Sequence, residues 1–173
     1  MGVRAGSVAR GTGKAARGLL LCGLLPLAAC GGGSGSGHGW NGALQCAPYA
    51  RSVTGLQLSG AAAGWWRQSE GAYAHTRVPA PGEVLVFRAT HRLPDGHVSV
   101  VRQVRGSRAI LVDQANWVPG RIDHGIPVVD VSRANDWSAV RVWWQPVHSM
   151  GKSVYPTYGF ISRDLPDRPS PDA

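Results

Sequence analysis

The sequence predicts an α+β fold in which N-terminal helices pack on a small antiparallel curved β-sheet or barrel. Helical patterns come first along the chain, up to about Ser69, and alternating strand patterns follow from Glu83 onward. Helices and strands that are segregated in this way favour an α+β fold over an alternating α/β arrangement. Turn signals separate the short strands at intervals of about 8–12 residues, which is typical of antiparallel sheets and small barrels.

The first helix is predicted between Gly42 and Gly55. Its apolar residues recur at intervals of four and three, at Tyr49, Val53 and Leu56. Pro48 suits the first turn of a helix, where its missing N–H is not needed. Gly55 is a plausible end. A second short helical stretch follows in GAAAGWWRQS.

Six segments have the composition and alternation of strands. The first three are separated by the turn sequences RLPDGH and RGSR, which predict hairpins. The segments are Glu83–Ala89, His97–Val104, Ala109–Ala115, Ile126–Ser132, Ala139–Pro146 and Tyr155–Ile161.

The N-terminal residues predict export. Four basic residues precede a short apolar run, Gly18–Ala28, as in a secretory signal. The run is shorter than the roughly 20 residues that a membrane-spanning helix takes. It ends in LAAC, and small residues before Cys30 resemble the lipobox of bacterial lipoproteins. We therefore expect a lipoprotein signal peptide at residues 1–29 and acylation of Cys30. The alternative is an ordinary cleavage site with an incidental cysteine.

The remainder divides into three parts. Residues 30–40 are rich in Gly and Ser and predict a flexible tether, residues 41–162 predict one folded domain, and the proline-rich residues 163–173 predict a disordered tail. By resemblance to Gram-negative lipoproteins, Gly31 after the cysteine favours the outer membrane. The expected location is the bacterial cell envelope, with a lipid anchor on the periplasmic face of the outer membrane. We expect a monomer.

The charge does not indicate a nucleic-acid partner. The formal net charge is +8, but four of the basic residues lie in the predicted signal peptide. The other basic residues are scattered, without a basic block or interleaved aromatic residues. A weak positive bias suits an anionic cell-wall polymer or a membrane surface, and plain solubility explains it equally well.

Cys46, in ALQCAPYARSVTG, is the candidate nucleophile. The other two cysteines, Cys22 and Cys30, lie in the signal peptide and at the lipidation site, so Cys46 has no partner for an internal disulfide. Cys46 lies at the start of the first helix, where backbone N–H groups favour negative charge and lower the pKa of a thiol. The same groups could hold an oxyanion. The alternative is a buried structural cysteine.

His97 is the candidate base, because it begins a predicted strand directly after a turn. The other five histidines lie in the linker, in polar loops or outside periodic segments. A tight hairpin turn centred on Gly106-Ser107 would place His97 opposite Asn116 and Ser99 opposite Gln114. Both amides then share the face of His97. Asp113 points to the other face unless a bulge shifts the register.

The motifs LQCAPYAR, GWW, PAPGEVLVF, DGHVSVV and VDQANW together resemble the CHAP domain, the cysteine, histidine-dependent amidohydrolases/peptidases related to the NlpC/P60 papain-like group. The resemblance runs from about Gly42 to about Pro146. It implies that Cys46 is the nucleophile and His97 the base. The family often has Glu-x-Asn on the following strand, whereas this chain has Gln114-Ala115-Asn116. Gln114, Asn116 and Asp113 all stay candidates for the group that orients the imidazole.

The resemblance also implies the activity, which is hydrolysis of peptidoglycan. The bond is a stem-peptide or cross-bridge amide, or the N-acetylmuramoyl–L-alanine amide. The alternatives are a catalytically silent domain that binds cell wall or a partner, and a cysteine amidase acting on a small-molecule amide.

No cofactor is expected, and no metal site, because the histidines lack ligand spacing. Five tryptophans could line a sugar-binding groove, although such residues are more often core: Trp65, Trp66, Trp117, Trp143 and Trp144.

Overall fold

The computed structural model describes Gly2 and residues 44–163. The predicted signal peptide, the Cys30 lipidation site, the tether and the tail lie outside the described residues, apart from Gly2 and Arg163. Within the described part, no helix is both long enough and apolar enough to cross a membrane.

The helices are short. Helix α1 spans Cys46–Thr54, a 3₁₀ turn spans Ala62–Gly64, α2 spans Trp65–Gln68, and a second 3₁₀ turn spans Gln145–Val147. Pro48 lies in the first turn of α1, as predicted. Gly55 ends the helix with a φ of 73°, and its N–H donates to the Arg51 carbonyl oxygen at 2.8 Å. This left-handed end is one that glycine adopts without strain.

The strands are all antiparallel. They are β1 (Ala74–Thr76), β2 (Val84–Phe87), β3 (His97–Gly106), β4 (Ala109–Ala115), β5 (Ile122–Asp130), β6 (Ala139–Trp144), β7 (Ser149–Met150) and β8 (Tyr155–Ser162). Their order in the sheet is β1-β8-β2-β3-β4-β5-β6-β7. Strand β8 also pairs with β6, so the six strands from β8 through β2 to β6 close on themselves.

The predicted antiparallel curved sheet is confirmed in its closed form, a barrel. The strands contain most of the regular structure of the described residues, so the predicted α+β class overestimated the helical content. Strands β1 and β7 were not predicted, because segments of three and two residues are too short to show an alternating pattern.

The barrel divides the buried side chains into two clusters. Successive residues of β2 alternate between them: Val84 and Val86 belong to one cluster, and Leu85 and Phe87 to the other. The second cluster draws on strands from β2 to β8, so it fills the barrel interior. The first contains Ala47 and Ala50 of α1 together with Val98 and Val100 of β3. Burial on both faces explains why β2 reads as a continuous apolar run.

Candidate active site

Cys46 is the first residue of α1, and its thiol is free and half-buried. Burial raises the pKa of this thiol, and the nearby Asp95 carboxylate raises it further. Backbone N–H groups of Val98, Ala47 and Cys46 itself act in the opposite direction but more weakly than burial. The N–H groups at the helix start therefore act to lower the pKa of Cys46, as predicted, but desolvation of the thiolate outweighs them, so the net pKa is raised.

His97 begins β3, and the preceding glycine positions it. Gly96 has a φ of 68°, and a Cβ atom there would come within 2.7 Å of the Ala63 nitrogen and 2.8 Å of the Phe87 oxygen. The chain can therefore turn into β3 at this point only with glycine. The His97 side chain is 4% exposed, and its ring meets the Trp117 ring edge-on at a centroid distance of 4.9 Å. Burial lowers the pKa of His97 to about 4, so the imidazole is neutral at neutral pH.

Gln114 is the group that contacts the imidazole. His97 Nε2 lies 3.1 Å from Gln114 Oε1, and Ser99 Oγ donates to the same oxygen at 2.7 Å. An amide oxygen only accepts, so the Nε2 atom carries the proton and Nδ1 is left as the basic nitrogen. Both Ser99 and Gln114 are fully buried. The predicted register places Ser99 opposite Gln114, but the sequence does not predict a role for Ser99.

The hairpin register near His97 agrees with the prediction, but the turn does not. Val100 pairs with Asp113. Extending this register by one residue places Ser99 opposite Gln114, and the two side chains are hydrogen-bonded. At the turn, however, Gly106 pairs with Ala109 rather than Arg105 with Arg108. Two irregularities along the β3–β4 ladder compensate for this shift. The contact between His97 and Gln114 therefore depends on bulges that the sequence did not reveal.

Asn116 and Asp113 do not hold the imidazole. Asn116 adopts a φ of 64°, and its Oδ1 accepts a hydrogen bond from the Gly120 N–H at 3.0 Å. Asp113 lies on the other face, as predicted, where it pairs with Arg102 at 3.3 Å and with His124 Nδ1 at 3.2 Å. Among the three candidates, Gln114 has the geometry of the orienting group.

One cavity of about 670 Å³ brings the candidate residues together. Cys46, His97 and Asn116 all line it, with the Arg92–Gly96 loop and the Gly60–Ala62 segment forming further walls. Its size falls within the roughly 300–1,000 Å³ of small-ligand sites. The described residues include no cluster of three His, Cys, Asp or Glu side chains that could hold a metal ion. The cavity thus contains a thiol and an oriented neutral imidazole, the groups needed for nucleophilic catalysis.

The tryptophans have divided roles. Trp65 is core, with no exposed surface, and Trp66 stacks on His75 at 3.7 Å between ring centroids. Trp117 contacts His97 and, together with Trp144, lines a second cavity. Of the five tryptophans predicted as candidates for a sugar-binding groove, Trp117 and Trp144 are therefore the two that line this cavity.

A comparison with protein-family models agrees with the motifs. Residues 34–116 match the family model of the CHAP domain, a range that includes Cys46, His97, Gln114 and Asn116. A crystal structure of an N-acetylmuramoyl-L-alanine amidase from Staphylococcus aureus is similar, with 19% identity and a TM-score of 0.41. That alignment covers 66% of this chain but only 30% of the amidase chain. No curated protein matches. The family model thus agrees with the motifs: residues 34–116 of this chain are similar to the CHAP domain.

Proposed function

We propose that this protein is a peptidoglycan hydrolase that cleaves an amide bond with Cys46 as nucleophile and His97 as base. The observation that carries the proposal is the shared cavity of Cys46 and His97, with the imidazole held by Gln114 through Nε2. The match to the CHAP domain model supports hydrolysis of an amide bond as the reaction class. The arrangement follows the logic of papain-like sites, in which an amide side chain orients the histidine.

In the first half of the reaction, His97 Nδ1 accepts the thiol proton as Cys46 Sγ attacks the carbonyl carbon of the amide. The tetrahedral oxyanion that forms is stabilised by backbone N–H groups at the start of α1. The C–N bond then breaks, and the imidazolium returns the proton to the departing amine. The product that stays bound is a thioester between Cys46 and the acyl part of the substrate.

In the second half, His97 takes a proton from water, and the resulting hydroxide equivalent attacks the thioester carbonyl. The carboxylic acid leaves, and the proton returns to the Cys46 sulfur. Gln114 stays hydrogen-bonded to Nε2 throughout, so the same nitrogen, Nδ1, serves as base and acid in both halves.

The resting pair is neutral. Burial raises the pKa of Cys46 and lowers that of His97, and both shifts oppose a preformed thiolate–imidazolium pair. Proton transfer therefore accompanies attack, and it is favoured when substrate is in place. A neutral Gln114 stabilises the imidazolium less than a carboxylate at this position would.

The test is digestion of purified peptidoglycan by the full chain, with released fragments identified by mass spectrometry. Cys46→Ala and His97→Ala should each abolish release, while His91→Ala, which changes an exposed histidine outside both cavities, should leave it unchanged. The new termini on the fragments identify the bond as a peptide amide or the N-acetylmuramoyl–L-alanine amide. Continued release by the Cys46→Ala protein would refute the mechanism.

A catalytically silent wall-binding domain is the second candidate. The observation that favours it is the neutral state of both groups, because burial opposes ionisation of the thiol as well as of the imidazole. Binding to peptidoglycan without release of any fragment by the unmodified protein would support this candidate. A third possibility, cleavage of a small-molecule amide, requires turnover of such an amide by a protein that leaves peptidoglycan intact.

The envelope location belongs to the same proposal. The lipobox-like LAAC supports acylation of Cys30, and Gly31 after that cysteine supports attachment to the outer membrane on its periplasmic face. Metabolic labelling with a fatty-acid analogue should modify the wild-type chain but not a Cys30→Ala variant. An unlabelled wild-type protein would remove the anchor from the proposal.

A further inference from the structure

We propose that a second cavity, beside the catalytic one, binds a carboxylate group of the substrate's peptide. This cavity has a volume of about 440 Å³ and is called here the aromatic-basic pocket, after Trp117, Trp144, Tyr155, Arg92 and Lys152 in its lining. The inference rests on the proposed hydrolysis of peptidoglycan and names the part of the substrate that the pocket takes.

The pocket is adjacent to the catalytic cavity. Arg92 lines both. Trp117 lines the aromatic-basic pocket and also meets the His97 ring edge-on at a centroid distance of 4.9 Å. A substrate whose amide lies between Cys46 and His97 can therefore extend past Trp117 into the pocket.

The charge of the lining selects an anion. Arg92 and Lys152 are both exposed, and neither forms an ion pair or a side-chain hydrogen bond with any residue from 44 to 163. No Asp or Glu among the described residues lines the pocket. Two cations without an acidic neighbour favour a negatively charged group, and guanidinium and ammonium groups both donate to carboxylates.

The rest of the lining suits the body of a peptide. Trp117, Trp144 and Tyr155 provide partly buried aromatic surface, and Ser149 and Ser153 add hydroxyl groups. Peptidoglycan stem peptides combine short aliphatic side chains with free carboxylates, so they match apolar walls with a cationic rim. A neutral sugar would leave both cations without a partner.

Backbone pairing between β6 and β7 holds one wall of the pocket in place before any ligand binds. Trp143 and Trp144 of β6 pair with Met150 and Ser149 of β7. The Gly151 N–H donates to the Val142 carbonyl oxygen at 2.9 Å. A Cβ atom at Gly151 would approach that oxygen to 2.7 Å, so glycine permits this close contact. A preformed site loses less entropy on binding than one that must first be ordered.

This wall also lies outside the family match. The CHAP match ends at residue 116, and of the residues that define the pocket only Arg92 precedes that point. The pocket therefore belongs to the part of the chain that follows the matched segment, and it can give this protein a preference that the shared catalytic residues do not.

Binding to a catalytically blocked protein tests the pocket separately from turnover. The Cys46→Ala full chain is titrated with an N-acetylated stem tetrapeptide that has free carboxylates and with the same peptide fully amidated, by calorimetry. Adding Lys152→Gln should weaken binding of the free-acid peptide about 2- to 5-fold, the range expected for an ion pair with an exposed side chain. The amidated peptide should bind weakly to both proteins.

The matched control is Arg105→Gln in the same background, since Arg105 is an exposed cation that lines neither cavity. Its affinity for the free-acid peptide should match that of the parent. Equal binding of the two peptides, an equal loss in the Arg105→Gln protein, or no binding of the free-acid peptide would each overturn the pocket proposal. If the wild-type chain fails to digest peptidoglycan, the proposed function is refuted, whatever the binding result.

Discussion

Replacing Gln114 with glutamate tests the orientation of His97 most directly. The change keeps the length of the side chain and the oxygen that contacts Nε2, and Ser99 Oγ can still donate to that oxygen. The one new feature is a negative charge beside the imidazole. A neighbouring carboxylate favours the imidazolium form, so the pKa of His97 should rise from its low value of about 4.

The size of the rise follows from the geometry. At a charge separation of about 4 Å and an effective dielectric constant of about 20, the attraction is about 4 kcal/mol. Since one pKa unit corresponds to about 1.36 kcal/mol, this is a rise of about 3 units and a pKa near 7. Desolvation of the glutamate itself reduces the effect, because position 114 is fully buried. The figure is therefore an upper value.

Two measurements follow the change. NMR titration of the His97 ring gives its pKa, and the pH dependence of Cys46 alkylation by iodoacetamide gives the ionisation of the thiol. The Gln114→Glu protein should show an alkylation rate that rises at lower pH than in the wild type, because an imidazolium stabilises the thiolate. The uncharged Gln114→Met variant should keep the low pKa of His97.

An unchanged His97 titration in a folded Gln114→Glu protein would refute the assignment of Gln114 as the contacting group. The same conclusion would follow if Gln114→Met and Gln114→Glu shifted the pKa equally, because the effect would then not depend on charge.

The remaining predictions concern stability and the residues that hold the site. Burial lowers the pKa of His97 from 6.5 to about 4 in the folded state, so the unfolded chain takes up the proton first and stability falls as pH drops from about 6.5 towards 4. Urea unfolding should show that the free energy of unfolding falls by about 3 kcal/mol over this pH range. A folded His97→Ala protein should lack this pH-dependent loss. An equal loss in both proteins would contradict burial of His97 as its cause. Ser99→Ala removes one of the two donors to Gln114 Oε1, so it should cost about 1 kcal/mol in urea unfolding and lower kcat on peptidoglycan more than it changes KM; an unchanged kcat would deny Ser99 a positioning role. Gly96→Ala puts a Cβ atom 2.7 Å from the Ala63 nitrogen at a φ of 68°, and it should cost about 1–3 kcal/mol by the same measurement; a stability equal to wild type would mean that the close approach is readily relieved.

The candidate site could be predicted from sequence where its geometry is local. Cys46 begins a helix whose first turn contains Pro48. His97 begins a strand directly after a turn. A two-residue side-chain period then places Ser99 and Gln114 on one face of the β3–β4 hairpin. Each of these inferences uses neighbours that are close along the chain, or one hairpin apart.

The turn shows how far such reasoning extends. The predicted pairing of Arg105 with Arg108 was wrong, and two bulges restored the predicted register before it reached Val100. Bulges respond to strain and twist across several strands, so no residue pattern within β3 or β4 announces them. The agreement near His97 therefore depends on a compensation that only the folded sheet contains.

By itself the sequence determined the CHAP-like motifs and the main strands, and it singled out Cys46 and His97 as candidates for one site. The tertiary structure alone decided that β8 closes the barrel between β2 and β6 and that burial opposes ionisation of both Cys46 and His97. It also decided that Arg92 and Lys152 line a second cavity together with residues of β6 and β7. The physical reason is the same in each case. Closure, desolvation and cavity shape are set by atoms that are distant along the chain and become neighbours only when it folds.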